Sequence, residues 1–103
     1  MAQYAAMISF QVAAERLEEF ETLMLVEAPR TRAFDGCELF EIYRNAEGEV
    51  VFLEHWESEE KSKLYGRWRA ERGDFETLGA FFTTPPKTSV YRRLDNAISD
   101  NLP

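Results

Sequence analysis

The chain of 103 residues is poor in the side chains that bind metals and form cross-links, since it has one cysteine, Cys37, and one histidine, His55. A lone cysteine cannot close an internal disulfide, and no second thiol is present to form a redox pair or a thiolate metal site. No metal partner for His55 is evident in the sequence. We therefore expect a protein of the reducing cytoplasm that holds no metal.

Long apolar runs and excess positive charge are also missing. No segment approaches the roughly 20 apolar residues that a membrane helix needs, and no basic region precedes an apolar stretch as in a signal peptide. Lys and Arg total 12 against 19 Asp and Glu, a net charge of −7, which would repel a nucleic-acid backbone. We expect neither a membrane nor a nucleic-acid partner.

Apolar residues are plentiful, at 45% of the sequence, which suits one compact domain of this length. We predict a single domain over residues 1–95. Residues 96–103 are predicted to form a polar C-terminal tail.

The first third of the chain predicts a strand followed by a helix. Apolar residues alternate with others from Tyr4 to Val12, which is typical of a strand. From Ala14 the apolar spacing lengthens to the period of a helix with an acidic outer side. We expect this helix to end near Pro29, because proline lacks the N–H that continues a helix.

Two strand patterns come next and predict a hairpin. Gly36–Arg44 alternates, a short polar turn follows, and Val50–Trp56 is apolar on both of its alternating faces. A strand that is apolar on both faces must be covered on both. The alternation places Glu54 and Trp56 on one face and His55 on the other.

The last third predicts a second helical region and a final strand. Ser58 is a suitable helix N-cap, and apolar residues recur at helical spacing from Leu64 to Phe82. Gly73-Asp74 interrupts this pattern and Pro85-Pro86 stops it. Thr88–Leu94 then predicts a strand.

The order strand, helix, strand, strand, helix, strand predicts an α+β fold. It is the order of a ferredoxin-like βαββαβ sandwich, in which two helices cover one face of a four-stranded antiparallel sheet. Fully burying a Val, Leu or Phe side chain is worth about 1.5–3 kcal/mol, and large apolar patches are rare on monomers. We therefore predict a homodimer that pairs through the uncovered sheet faces.

The run FLEHWES, residues 52–58, is similar to the E-x-W pattern of the antibiotic biosynthesis monooxygenase family, with Glu54 and Trp56 as the matching residues. The preceding GCELFEIYRNAEGE, residues 36–49, resembles the glycine-led second strand and hairpin of that family. The resemblance covers residues 4–94. It implies a dimeric α/β barrel, often with the last strand or tail reaching over the partner.

The resemblance implies several activities, because the family includes cofactor-free oxygenases of quinols and aromatic polyketides, haem degraders, isomerases and chains with no known reaction. Haem-degrading relatives use an Asn on strand one and a His late in helix two, where this sequence has Ser9 or Gln11 and Phe75. Haem ligation is disfavoured, and no cofactor is expected. The Asn of polyketide oxygenases is replaced by Phe52, and a frequent family histidine by Tyr65.

His55 and Glu54 each have two interpretations. The imidazole of His55 titrates near neutrality and is a candidate general base that removes a phenolic or enolic proton. Its position opposite Trp56 favours a structural or interface role instead. A buried Glu54 carboxylate has to be paired, hydrogen-bonded or protonated, and we expect an ion pair with an arginine, within the chain or across a dimer.

Aromatic residues on the helices predict a ligand pocket between helices and sheet. Trp56, Trp68 and Phe81 are candidates to bind the ring of a substrate. Tyr65 is a candidate catalytic residue that, with Arg69, would polarise a substrate oxygen. The alternatives are ordinary core packing for the aromatic residues and pairing with neighbouring carboxylates for the arginine.

These features lead to two hypotheses. The first is a cofactor-independent monooxygenase acting on a small aromatic or quinol-like substrate. The second is a non-catalytic small-ligand-binding or stress-related dimer whose aromatic core fills itself. An open cavity that reaches solvent beside Trp56 would favour the first, and a filled core the second.

Overall fold

The computed structural model describes residues 2–95. In chain order the elements are β1 (Tyr4–Gln11), α1 (Leu17–Ala33), β2 (Cys37–Arg44), β3 (Glu49–Trp56), α2 (Glu59–Glu71), α3 (Asp74–Gly79) and β4 (Lys87–Arg92). The strands form one antiparallel sheet in the order β2-β3-β1-β4, and the helices pack on one face. The predicted ferredoxin-like α+β fold is confirmed. The predicted tail, residues 96–103, lies outside the described residues.

The first helix runs through Pro29 to Ala33, so the expectation that it ends near Pro29 is wrong. Proline removes the bond to the carbonyl of Leu25, and Leu25 lies on the solvent side at 78% exposed, where water can satisfy that carbonyl. Beyond the proline, Thr31 is buried and hydrogen-bonded to α2. This packing stabilises the last turn of α1.

The second helical region divides where the sequence predicted. The Ser58 hydroxyl accepts a hydrogen bond from the backbone N–H of Lys61 at 3.2 Å and caps α2. Gly73 follows α2 with a φ of 76°, in the left-handed region that glycine adopts without a steric cost. The chain therefore changes direction at Gly73 before α3 begins.

The chain leaves α3 at Gly79, well before Pro85-Pro86. Phe82 instead forms an isolated antiparallel bridge with Val12, just after the end of β1. The apolar pattern that continues past α3 thus belongs to a connection that packs on the core.

The predicted alternation of β3 is confirmed. Val50, Phe52, Glu54 and Trp56 are buried beneath the helices, whereas the residues between them are half-buried on the other face. Around them the helix-covered face forms the hydrophobic core, whose buried members are Phe10, Val12, Phe20, Ala28, Phe40, Val50, Phe52 and Phe81.

The opposite face of the sheet has no helix over it within residues 2–95. Met7, Tyr43 and Tyr91 are 42%, 55% and 55% exposed there, and Leu53 and His55 are half-buried between them. This uncovered face is the one that the alternating pattern predicted. Among residues 2–95, no helix is long and apolar enough to span a bilayer.

Candidate functional site

A cavity of about 380 Å³ lies between the covered face of the sheet and the three helices. Apolar side chains form most of its wall, including Ile8, Leu23, Met24, Phe40, Phe52 and Leu78. Charged side chains are contributed by α1, β3, α2 and α3, namely Glu27, Glu54, Arg69 and Asp74. A mostly apolar cavity with a few polar groups is the usual form of a small-molecule site.

Arg69 of α2 is 5% exposed and connects α1, α2 and α3. Its Nε–H donates to Tyr65 Oη at 2.9 Å. Its Nη1 donates to Glu27 Oε1 and to Asp74 Oδ2, and its Nη2 to the Glu27 carbonyl at 3.2 Å and to Thr31 Oγ1 at 3.0 Å. A guanidinium has five N–H donors, so every donor of Arg69 has a protein acceptor.

The pKa values of Arg69 and Asp74 are shifted in the directions that keep this ion pair charged. Burial by itself lowers the pKa of Arg69, but hydrogen bonds with Asp74, Tyr65 and Glu27 raise it overall. Burial by itself raises the pKa of Asp74, but hydrogen bonds from Arg69 and Arg72 lower it overall. The Arg69–Asp74 pair is therefore ionic at neutral pH.

Tyr65 of α2 lies one helical turn before Arg69, and its hydroxyl is 2.7 Å from Thr31 Oγ1. Burial raises the pKa of Tyr65, and hydrogen bonds with Thr31 and Arg69 offset the rise in part, so the phenol stays protonated at neutral pH. Tyr65 and Thr31 carry two hydroxyl protons between them, and one proton forms the bond that joins them. Both residues line the cavity.

Glu54 of β3 is 6% exposed and accepts a hydrogen bond from Trp56 Nε1 at 2.9 Å. Burial raises the pKa of its carboxyl, opposed by the Trp56 hydrogen bond and the charge of Arg69. Among the described residues no basic group lies within ion-pair distance of Glu54, so the expected arginine partner within the chain is not found there. Arg69 pairs with Glu27 and Asp74 instead. A buried carboxylate with a raised pKa is a stronger proton acceptor than an exposed one.

The two tryptophans pack against the α2 residues of this site. Trp56 is fully buried, with its ring 4.8 Å from Tyr65 and 6.2 Å from Phe34. Trp68 is 5.3 Å from Phe34 and lies beneath the guanidinium groups of Arg69 and Arg72, at 4.7 and 5.0 Å. Neither tryptophan is among the side chains that line the cavity. Trp56 packs on Tyr65 and Trp68 packs on Arg69, and these contacts fix the orientation of α2 residues that line the cavity.

The remaining predicted site residues lie elsewhere. His55 is on the uncovered face of the sheet, where it pairs in register with Ala5 and Leu39. Phe81 is buried near the start of α1, with Phe20 at 5.8 Å and the Arg16 guanidinium at 4.0 Å over its ring. Of the six predicted residues, the structure thus brings only Tyr65 and Arg69 to the cavity wall.

Several residues at the cavity were not predicted from the sequence. Thr31 was missed because the helix was expected to end before it, and Glu27 because an acid on the outer side of a helix is usually solvated. Asp74 could have been identified from the sequence, because it follows the glycine that interrupts the helical pattern. Glu54 was signalled by strand alternation, although its role was assigned to an ion pair.

The family model described as antibiotic biosynthesis monooxygenase matches residues 3–70 of the chain. No curated protein matches the chain.

Solved structures with the same fold come from several organisms. A conserved protein from Methanosarcina mazei Go1 is 21% identical over 91% of this chain and 95% of its own, with a TM-score of 0.82. Rv0793 from Mycobacterium tuberculosis is 25% identical over 91% and 97%, with a TM-score of 0.71. A monooxygenase from the gene ActVA-Orf6 of Streptomyces coelicolor, in complex with nanaomycin D, is 19% identical over 90% and 88%, with a TM-score of 0.75.

Proposed function

Because the chain belongs to the antibiotic biosynthesis monooxygenase family, we propose that it is a cofactor-independent monooxygenase that oxidises a small aromatic or quinol-like molecule in the cavity. One observation carries the proposal: a single, mostly apolar cavity is lined both by a buried carboxyl group, Glu54, and by two hydroxyls that are hydrogen-bonded to each other, Thr31 and Tyr65. The Streptomyces coelicolor monooxygenase is in complex with the ligand nanaomycin D, which supports a ligand site in this fold.

The apolar wall would bind the ring, and the two polar groups would orient it. Glu54 is the proposed base, which removes a proton from a hydroxyl or activated methylene group of the substrate. Negative charge then develops on the substrate oxygen, where the second hydroxyl proton of the Thr31–Tyr65 pair stabilises it. Arg69 holds both hydroxyl oxygens in place through its Nε and Nη2 donors.

The electron balance needs no further reductant. When an anthrone is the substrate, its methylene carbon loses two hydrogens and gains one oxygen atom from O2. The second oxygen atom leaves as water with those two hydrogens, so the substrate provides all four electrons. Deprotonation makes the ring electron-rich, and this permits direct reaction with oxygen.

The test is oxygen uptake with a panel of hydroquinones and anthrones in metal-free buffer. We expect turnover by the wild type and a kcat lower by about 100-fold or more for Glu54→Gln, since general bases contribute rate factors of that order. Glu76→Gln is the matched control, because Glu76 is exposed on α3 and does not line the cavity. No turnover above the protein-free rate would contradict the proposal, and tight ligand binding without turnover would favour the non-catalytic binding module.

His55→Gln separates the two candidate bases. In the proposed mechanism Glu54 removes the proton, so His55→Gln should turn over like the wild type. If His55→Gln is inactive and Glu54→Gln is active, the base is the histidine predicted from the sequence, acting from the uncovered face.

We further propose a homodimer, formed in the cytoplasm through the uncovered sheet face. Support comes from the exposed apolar side chains Met7, Tyr43 and Tyr91 on that face, since patches of this kind mark association surfaces. Sedimentation at micromolar concentration should give a dimer. Leu53→Glu, at the centre of the face, should give a monomer, whereas a monomeric wild type would contradict the proposal.

A further inference from the structure

Arg69 is the one basic side chain among the described residues that line the cavity. A basic residue in an aromatic pocket commonly receives an acidic group of a ligand, and a guanidinium does so through its N–H donors. Here all five donors already have acceptors on Tyr65, Glu27, Asp74 and Thr31. A ligand carboxylate would have to displace one of these acceptors to reach the guanidinium.

The charge on the wall also opposes an anion. Three carboxyl groups line the cavity, those of Glu27, Glu54 and Asp74, against the single charge of Arg69. Glu27 and Asp74 compensate the guanidinium through direct ion pairs, and each is paired with a second arginine outside the wall, Glu27 with Arg30 and Asp74 with Arg72. The Glu54 carboxyl accepts from the neutral indole N–H of Trp56, and among the described residues it has no ion pair with a cation. A ligand that brings a permanent negative charge adds a like charge to this surface.

From these contacts we propose that the cavity selects uncharged aromatic ligands and rejects aromatic carboxylates of the same size. The inference rests on the proposed function in one respect, that the cavity is the ligand site. It is compatible with the deprotonation step, because proton transfer to Glu54 moves one negative charge onto the ligand and leaves the total charge unchanged. A carboxylate substituent instead increases the negative charge.

A pair of probes that differ in one group tests this selection. 6-Hydroxy-2-acetonaphthone and 6-hydroxy-2-naphthoate have the same ring and hydroxyl, and the methyl of the ketone is replaced by the charged oxygen of the carboxylate. Binding is measured at pH 7 by isothermal titration calorimetry. We expect the ketone to bind at least about tenfold more tightly, in line with the cost of like-charge contacts.

The source of the selection is tested by removing a charge from the wall. Asp74→Asn keeps an oxygen acceptor for Arg69 and removes one negative charge, so the affinity for the carboxylate should rise by about tenfold relative to the ketone. Glu76→Gln removes the same charge from the same helix outside the cavity, and should leave the ratio of the two affinities unchanged. Glu27→Gln provides a second charge-removing variant if Asp74→Asn does not fold.

The possible results separate the inference from its premise. Equal or tighter binding of the carboxylate by the wild type would overturn the charge selection while leaving the cavity as the ligand site. An affinity ratio that Asp74→Asn, or Glu27→Gln in its place, leaves unchanged would also overturn it. Failure of both probes to bind would count against the cavity as a ligand site, and therefore against the proposed function as well.

Discussion

The helix-covered layer of the molecule has two ends that pack in different ways. At the phenylalanine end, around Phe10, Phe20 and Phe81, rings meet each other with centroids 5.8 Å apart, mostly edge to face. At the polar end, around Glu54 and Arg69, lie the three buried polar side chains of residues 2–95, of which the third is Thr31. Phenylalanine rings pack without needing hydrogen bonds, whereas buried polar groups must satisfy fixed hydrogen-bond geometries. The proposed ligand recognition therefore belongs to the polar end.

The largest expected effect is at the phenylalanine end. Phe20→Ala removes a side chain that is 2% exposed and should lower the free energy of unfolding by about 3–5 kcal/mol, measured by urea denaturation. The affinity of the folded protein for the acetonaphthone probe should not change. Leu25→Ala is the control, because Leu25 is 78% exposed and its loss should cost about 0.5 kcal/mol or less. A destabilisation by Phe20→Ala as small as that of the control would contradict the described packing.

At the polar end, stability and binding should change together. Arg69→Lys keeps the positive charge but cannot reproduce the five donors, so the free energy of unfolding should fall by about 1.5–3 kcal/mol in total. Affinity for the acetonaphthone probe should fall too, because the hydroxyls of Thr31 and Tyr65 lose the group that orients them. Urea denaturation and calorimetry measure the two effects.

Arg72→Lys is the matched control for that variant. Arg72 is exposed and its ion pair with Asp74 lies near the surface, so the change should cost about 1 kcal/mol or less. If Arg69→Lys lowers the free energy of unfolding but leaves the affinity for the acetonaphthone probe unchanged, stability and binding are independent at the polar end. The described difference between the two ends would then be wrong.

The smallest effect concerns pH. Because burial raises the pKa of Glu54, the folded state holds this proton to higher pH than the unfolded state, whose pKa is near 4.5. The contribution of Glu54 to stability is therefore most favourable below that value and declines as pH rises through the raised pKa, by at most about 1.4 kcal/mol per pH unit. Glu54→Gln should remove this decline.

The measurement is urea denaturation of both proteins from about pH 4 to about pH 8. The stability of Glu54→Gln relative to the wild type should increase with pH over this window. The lowered pKa of Asp74 has the opposite influence, but it is present in both proteins and cancels in the difference. A difference that does not vary with pH would contradict the described burial of Glu54.

Features that depend on neighbouring residues in the chain could be predicted from the sequence. Strand alternation is fixed by backbone geometry, so the placement of Glu54 and Trp56 opposite His55 was correct. The expected helix end at Pro29 was wrong because the local cost of proline is outweighed by the packing of Thr31 against α2. Local rules do not include such tertiary contacts.

The hydrogen bonds of Arg69 could not be predicted, since its acceptors come from three helices. Glu27, Tyr65 and Asp74 meet there only when α1, α2 and α3 have their final positions. The sequence offered two roles for Arg69, binding a substrate oxygen or pairing with nearby acids. The contacts in the folded chain show that Arg69 pairs with the acids Glu27 and Asp74, and that each of its five N–H donors has an acceptor.

One wall of the cavity is formed by β4, through Thr88 and Val90. Within residues 2–95 this strand is hydrogen-bonded to β1 alone, at the edge of the sheet, and five of its six residues are exposed. Segments with few buried contacts open at lower free energy than the core. We therefore expect β4 to separate from the sheet at a lower free energy than the central strands, and the cavity wall to open there first. Backbone amides of β4 should exchange with solvent deuterium well before those of β3.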